Sequence, residues 1–283
     1  MKTGFNETNS PKLSAVVKTV VYWAVFLVLL FLVGSQLGNM FPAKWERFVY
    51  GIFGTVAACL ALWLMLKFDK KTFSDYGLSW QRDTFLKFIK GLFIGTAIFL
   101  VIILILIVFT QYRFTTNPAT WDPWAAFWYL SIIPLALMEE IAFRSYTFLK
   151  LKKVFGLRIT QVIIAVAFAL YHIIQGWGYQ IAFLGPGIWA FVFGLAAVWS
   201  KGIALPTGIH VALNLIQQLI GMKGGASESV WLLTLPENVS DAAIARAQTW
   251  GIITQVLVLV AAIICTEIYI RKKYTNEKSI CNI

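Results

Sequence analysis

Hydrophobic positions in this chain come in long blocks, and the charged residues collect in the short stretches between them. A helix needs about 20 apolar residues to cross a bilayer core. Eight blocks approach that length: 16–37, 48–66, 85–109, 124–149, 159–175, 181–200, 203–221 and 248–270. The expected fold is therefore all-α, a polytopic membrane bundle of about eight transmembrane helices forming one integral membrane domain over 1–283. Some blocks are short, which predicts tilted or kinked helices. The longest polar connection, 222–246, carries Gly and Pro and reads as a loop at the outer surface, before a last helix and a basic tail.

Composition agrees: 59% of residues are hydrophobic and 13% charged, with a mean hydropathy of +0.74, far from the balance of a soluble domain. The net charge of +11 would suit nucleic acid if its residues were clustered, but they alternate from gap to gap. One side collects Lys2, Lys12, Lys18, Lys67, Lys70, Lys71, Arg82, Lys87, Lys90, Lys150, Lys152, Lys153, Arg158, Lys201, Arg271, Lys272, Lys273 and Lys278. The other has only Lys44, Arg47, Arg113, Lys223 and Arg246. This asymmetry places both termini in the cytoplasm and makes the basic excess a topology signal, with the lipid bilayer rather than nucleic acid as partner. Trp121, Trp124 and Trp128 fit an interfacial aromatic belt. Cys59, Cys265 and Cys281 have neither disulfide nor zinc spacing, and Ile280 stands where a prenylation signal needs its Cys. The first block is too long for a signal peptide and is read as retained, and Asn238 opens a glycosylation sequon that matters only in a eukaryotic secretory context.

Against this apolar background the ionisable residues inside the blocks carry the information, because a charge near the bilayer centre costs roughly 2.5–3.5 kcal/mol on insertion scales. The densest group is "LALMEEIAFRSY" at 135–146. Glu140 and Arg144, four apart, share a helix face and can pair, while Glu139 points about 100° away. A structural ion pair with one spare acid is the bland reading. Both histidines of the chain also lie in blocks, His172 in "FALYH" and His210 in "HVALN". His210 and Asn214 share a face, so they could aim two donors at one point, pair with each other, or bridge helices. Measured from cytoplasmic anchors, Glu139 lies about 16 Å from Lys150, His172 about 21 Å from Arg158 and His210 about 14 Å from Lys201, so the three can meet at one depth in the cytoplasmic half. Pro134, one turn before Glu139, is expected to loosen its helix. Ser145 lies beside the acids without a histidine in its helical neighbourhood, so no matched nucleophile competes.

"EEIAFR", "FALYH" and "HVALN" fit Glu-Glu-x-x-x-Arg, Phe-x-x-x-His and His-x-x-x-Asn in that order. The chain resembles the CPBP family of intramembrane proteases, which includes the Ras-converting CAAX endoprotease and many bacterial relatives, some linked to bacteriocin immunity. The resemblance spans roughly residues 120–220; the helices of 16–110 match only in being hydrophobic. It implies a catalytic core at 120–221 in a bacterial cytoplasmic membrane, acting on a membrane-embedded or membrane-anchored peptide or protein. By the same resemblance, Glu139 is the general base that activates water and His172 positions that water. His210 and Asn214 stabilise the oxyanion, and Glu140 with Arg144 supports the helix. This version uses no cofactor. A zinc-dependent version, with Glu139, His172 and His210 as ligands, is the mechanistic alternative. A non-catalytic scaffold or immunity-type protein of the same fold is the functional alternative. A transporter would predict an internal repeat with broken helices, and no repeat is apparent in the sequence.

Overall fold

The computed structural model describes residues 10–37, 40–117, 124–223 and 229–281. The principal helices are α1 (Ser10–Leu37), α2 (Glu46–Asp69), α3 (Thr84–Phe109), α4 (Ala125–Tyr129), α5 (Ile132–Arg144), α6 (Tyr146–Ile174), α7 (Tyr179–Ala182), α8 (Ile188–Ser200), α9 (Ala204–Leu219) and α10 (Asp241–Cys281). Apolar side chains cover the outside as well as the core: Leu32, Phe93, Val101, Leu104, Leu257 and Ile264 all face outward. Such a surface suits hydrocarbon and not water. The protein is an integral membrane protein.

Six apolar stretches among the described residues are long enough to cross a membrane: Pro11–Leu32, Ala43–Asp69, Thr84–Phe109, Ala126–Ile174, Tyr179–Ser200 and Asp241–Lys273. The difference from the expected eight has two physical sources. The blocks 124–149 and 159–175 fall in one helical stretch of 49 residues. Straight, it would run about 74 Å, more than twice a core of about 30 Å. It is not straight. The backbone breaks at Ser145 (φ −89°, ψ −107°) and turns again at Gly156 (φ 75°, ψ 175°), a conformation that favours glycine. The block 203–221 becomes α9, 16 residues long and buried from Leu205 to Leu213, so it is an interior helix about 24 Å long.

Further differences are local. The block 124–149 is not one span, since α4 ends at Tyr129 and α5 begins at Ile132. That puts Pro134 in the first turn of α5, where its missing N–H breaks no helical bond, so the expected loosening is absent. The block 181–200 enters through a π-turn at Phe183–Gly187 around Pro186 before α8 begins. The all-α expectation also missed two strands, β1 (Arg113–Thr116) and β2 (Trp231–Thr234), which pair antiparallel with Arg113 opposite Thr234. Four residues are too few to display a strand period, and a tertiary contact between distant loops creates the pairing. Trp121 lies outside the described residues. Trp124 is exposed, and the half-buried Trp128 packs edge-on against the exposed Trp45 at 5.1 Å.

Several basic segments converge at one end. Lys18 of α1 and Lys150 of α6 both pair with Asp69 at the end of α2, whose carboxylate also accepts from Tyr146 at 2.9 Å. Arg158 makes a two-pronged pair with Glu267 of α10 at 2.6 Å. Gly77 lies against Gly202, beside Lys201.

The closest helix approach sets the position of α9. Gly91 and Gly95 of α3, one turn apart, face Gly208 and Ala212 of α9. A Cβ on Gly91 would lie 2.9 Å from both the Gly208 Cα and the Ile209 N. A Cβ on Gly95 would lie 2.7 Å from the Ile209 carbonyl oxygen. Without a hydrophobic drive in lipid, such small-residue contacts let backbones pack directly. Gly91→Ala is therefore expected to lower the melting temperature in detergent, with overpacking costing about 1–3 kcal/mol. Gly34→Ala in α1, where nothing lies within 4 Å, is expected to raise it slightly, by about 0.5–1 kcal/mol of helix propensity. Opposite signs in thermal unfolding check the contact; equal effects would refute it.

Candidate active site

α5 carries both glutamates because its apolar residues, Met138, Ile141, Ala142 and Phe143, bury it on several sides at once. In that setting Glu140 is 0% and Arg144 1% exposed. Arg144 Nε stands 3.3 Å from Glu140 Oε2, the pair that the four-residue spacing proposes. None of the three guanidinium nitrogens has a well-aligned hydrogen bond among the described residues. Aromatic faces supply the rest of its surroundings: Cζ lies 4.2 Å from the ring centre of Phe168, 5.0 Å from Phe193 and 5.8 Å from Phe143. A desolvated cation over such rings gains about 2 kcal/mol.

Tertiary packing then adds a partner that spacing did not propose. Glu140 Oε1 meets His210 Nδ1 at 2.8 Å, so the supposedly occupied acid holds one histidine as well as the arginine. A carboxylate only accepts, which assigns the Nδ1 proton to His210. The other ring nitrogen, Nε2, faces Glu139 Oε2 at 3.6 Å, beyond hydrogen-bond distance. Phe193 stacks on the His210 ring at 4.7 Å and 16°, fixing its plane.

His172 is oriented from its own helix. Its Nδ1 lies 2.8 Å from the Phe168 carbonyl oxygen one turn back, which again assigns the proton to Nδ1 and leaves Nε2 as an acceptor in the neutral ring. The rings of Phe168, Tyr171 and Trp177 meet it edge-on at 4.7, 5.3 and 5.0 Å. Phe168 therefore does two things, passing its carbonyl to His172 and its ring to Arg144.

His172, His210 and Asn214 open on one cavity of about 220 Å³, with Trp177, Trp189 and Lys223 also in its wall. At roughly 30 Å³ per water it has room for several. Glu139 does not line this cavity; it is related to it through the approach to His210. Its carboxylate also interacts electrostatically with His172, Tyr171, Tyr50 and Lys223. The depth estimate brought these groups to one level by treating 139–150 as a single helix. The chain in fact breaks at Ser145, and the meeting arises because α5, α6 and α9 all pack on the same core. The Ser145 hydroxyl donates to the Ile141 carbonyl and is spent inside the helix break.

Four contributors were missed from sequence. Tyr50 and Gln175, joined by a 3.2 Å hydrogen bond, and Tyr171 beside them come from α2 and the end of α6 and carry no motif. Lys223 donates from Nζ to Asn214 Oδ1 at 2.8 Å and lies 5.4 Å from the Trp177 ring centre. Burial pushes the Lys223 ammonium below the ordinary lysine value, and the Glu139 carboxylate opposes that shift. Its only sequence signal was being one of five cations on the side poor in basic residues. Regarding a metal, no group of three or more His, Cys, Asp or Glu side chains among the described residues is gathered to hold one. Both histidines commit Nδ1 to a neighbouring oxygen, which leaves each Nε2 as the ring nitrogen turned to other partners.

Residues 120–216 match the family described as Type II CAAX prenyl endopeptidase Rce1-like. This segment is of the CAAX protease family. It covers about a third of the chain and contains Glu139, Glu140, Arg144, His172, His210 and Asn214, while Lys223 lies beyond it. No curated protein matches the chain.

The pairing of Arg144 with Glu140 predicts that folding of the segment 120–216 depends on the charge of Glu140. Glu140→Gln would leave Arg144 buried with only Glu139 near enough to compensate, at a cost of about 3–5 kcal/mol. The expected result is a much lower melting temperature and a poor yield of monodisperse protein in detergent. Glu139→Gln, which removes no close ion pair, is expected to melt near the wild type.

Proposed function

We propose that this protein is an intramembrane endopeptidase that hydrolyses a peptide bond of a membrane-associated protein or peptide with water activated by Glu139. The observation that carries the reading is the approach of Glu139 Oε2 to His210 Nε2 at 3.6 Å, with His210 opening on the cavity that His172 and Asn214 also line. The family of residues 120–216 supplies the reaction class.

In this mechanism Glu139 takes a proton from water, and the Nε2 of His172 accepts a hydrogen bond that orients that water. The oxygen attacks the peptide carbonyl. Its developing negative charge is met by His210 Nε2–H and the Asn214 carboxamide. Because Nδ1–H of His210 already serves Glu140, donation from Nε2 requires the imidazolium form. Glu139 then returns its proton to the leaving amine. No step passes through an acyl-enzyme or a metal.

The charge asymmetry supports both termini in the cytoplasm, with the basic end of the bundle on that side. The likeness to CAAX endopeptidases makes a prenylated C-terminal peptide the first substrate to try; a bacterial cytoplasmic membrane would require other substrates.

Glu139→Gln and His172→Ala are each expected to reduce peptide cleavage by at least about 100-fold while melting like the wild type. Chelation should leave the rate unchanged. If either variant, expressed normally, kept full activity in a complementation assay, the protease reading would fail in favour of a non-catalytic scaffold or immunity-type protein. Loss on chelation with recovery on zinc would instead establish the metal-dependent version.

A further inference from the structure

Asn214 has a carboxamide with two chemically different ends, and only the Nδ2 end can donate to an oxyanion. What sets that choice is visible in the cavity wall. Lys223 Nζ lies 2.8 Å from Asn214 Oδ1. An ammonium has three donors and no acceptor, so the amide atom facing Lys223 must be the oxygen whatever the electron distribution of the two ends resembles. The Nδ2 end is consequently turned away from Lys223. Asn214 lines the same cavity as His210, which lies one turn earlier on α9.

We infer that Lys223 is a positioning residue that holds Asn214 with its Nδ2 donor toward the reacting carbonyl beside His210 Nε2. The inference rests on the proposed oxyanion role of Asn214 and assigns to this chain a residue outside the family segment 120–216. Three features of the surroundings make Lys223 able to do this. Trp177, which Lys223 lies over at 5.4 Å, also packs edge-on against His172, so the lysine stem and the water-orienting histidine share one wall. Glu139 attracts the ammonium across the site. The stem leaves α9 just past its last turn, where Met222 and Lys223 both donate backbone N–H groups to the Gln217 carbonyl, which fixes where the lysine starts. The added charge also lies on the side where the oxyanion develops, so it strengthens the same field that Nδ2 supplies.

The role is separable from general support by a double-substitution cycle. Full-length enzyme in detergent is first compared with Glu139→Gln in membranes of a producing strain, and a peptide terminus present only with the active form is made as a synthetic substrate. Lys223→Met, which keeps the apolar stem and removes the donor, is expected to lower kcat about 10-fold to 100-fold with KM within about 3-fold, a part of the loss that follows removal of one oxyanion donor. Lys223→Arg, still a donor to Oδ1, should keep kcat within about 3-fold of the wild type. In an Asn214→Ala background, Lys223→Met should cause no further loss, because the group it positions is gone. Melting curves identify any variant that fails to fold, and Lys223→Leu, which also lacks a donor, then takes the place of Lys223→Met. Equal losses in the two backgrounds, or unchanged kcat in folded Lys223→Met, would overturn the inference. If Glu139→Gln changes no peptide terminus, the protease reading itself fails, and the inference with it, which is distinct from an active enzyme indifferent to Lys223.

Discussion

A positive charge fully enclosed by hydrocarbon has to be answered on every side, and Arg144 imposes that requirement on the centre of this bundle. One carboxylate answers it in the plane of the ion pair, and the rings of Phe168 and Phe193 answer it above and below. These partners come from α5, α6 and α8, so the arginine ties three helices together. Each of the partners then reaches a further group of the site. Glu140 holds His210, Phe193 sets its ring plane, and the Phe168 carbonyl accepts a hydrogen bond from His172 Nδ1. The orientation of His210 is thus tied to the neutralisation of one buried cation.

A second constraint acts on α9. This helix is too short to span a bilayer and has little contact with lipid, so it is held by direct backbone approach to α3. On α9 the contact is made by Gly208 and Ala212, two residues either side of His210, and a displacement of α9 would move His210 and Asn214 together. Packing precision and chemical precision therefore have the same source. Removing water from such a site strengthens every dipole aimed at the reacting atoms, which is why a membrane interior can host hydrolysis if the few polar groups are preorganised.

Much of this was legible in the sequence. Long apolar blocks declare a membrane bundle because nothing else can satisfy their backbones in lipid. Spacing of four places Glu140 with Arg144, and the three short motifs bring the two histidines and Asn214 into one list of candidates. What periodicity cannot show is where a helix stops. Ser145 breaks an apolar stretch with no change in its hydropathy, and α9 reads as a span although it is interior. Hydropathy averages over a window, whereas a break is a property of one residue's backbone.

The contacts that orient the site were decided at a different level. From the sequence alone follow the solvent of the fold, the charge asymmetry of its ends and the residue types available for chemistry, because these depend on composition and on neighbours within a turn. Only the tertiary structure decided that Glu140 serves both Arg144 and His210, that Phe168 and Phe193 flank Arg144, and that Lys223 meets Asn214. Those pairs join residues on different helices or beyond a helix end. Their geometry depends on crossing angles and side-chain volumes summed over the whole core, which no local spacing encodes.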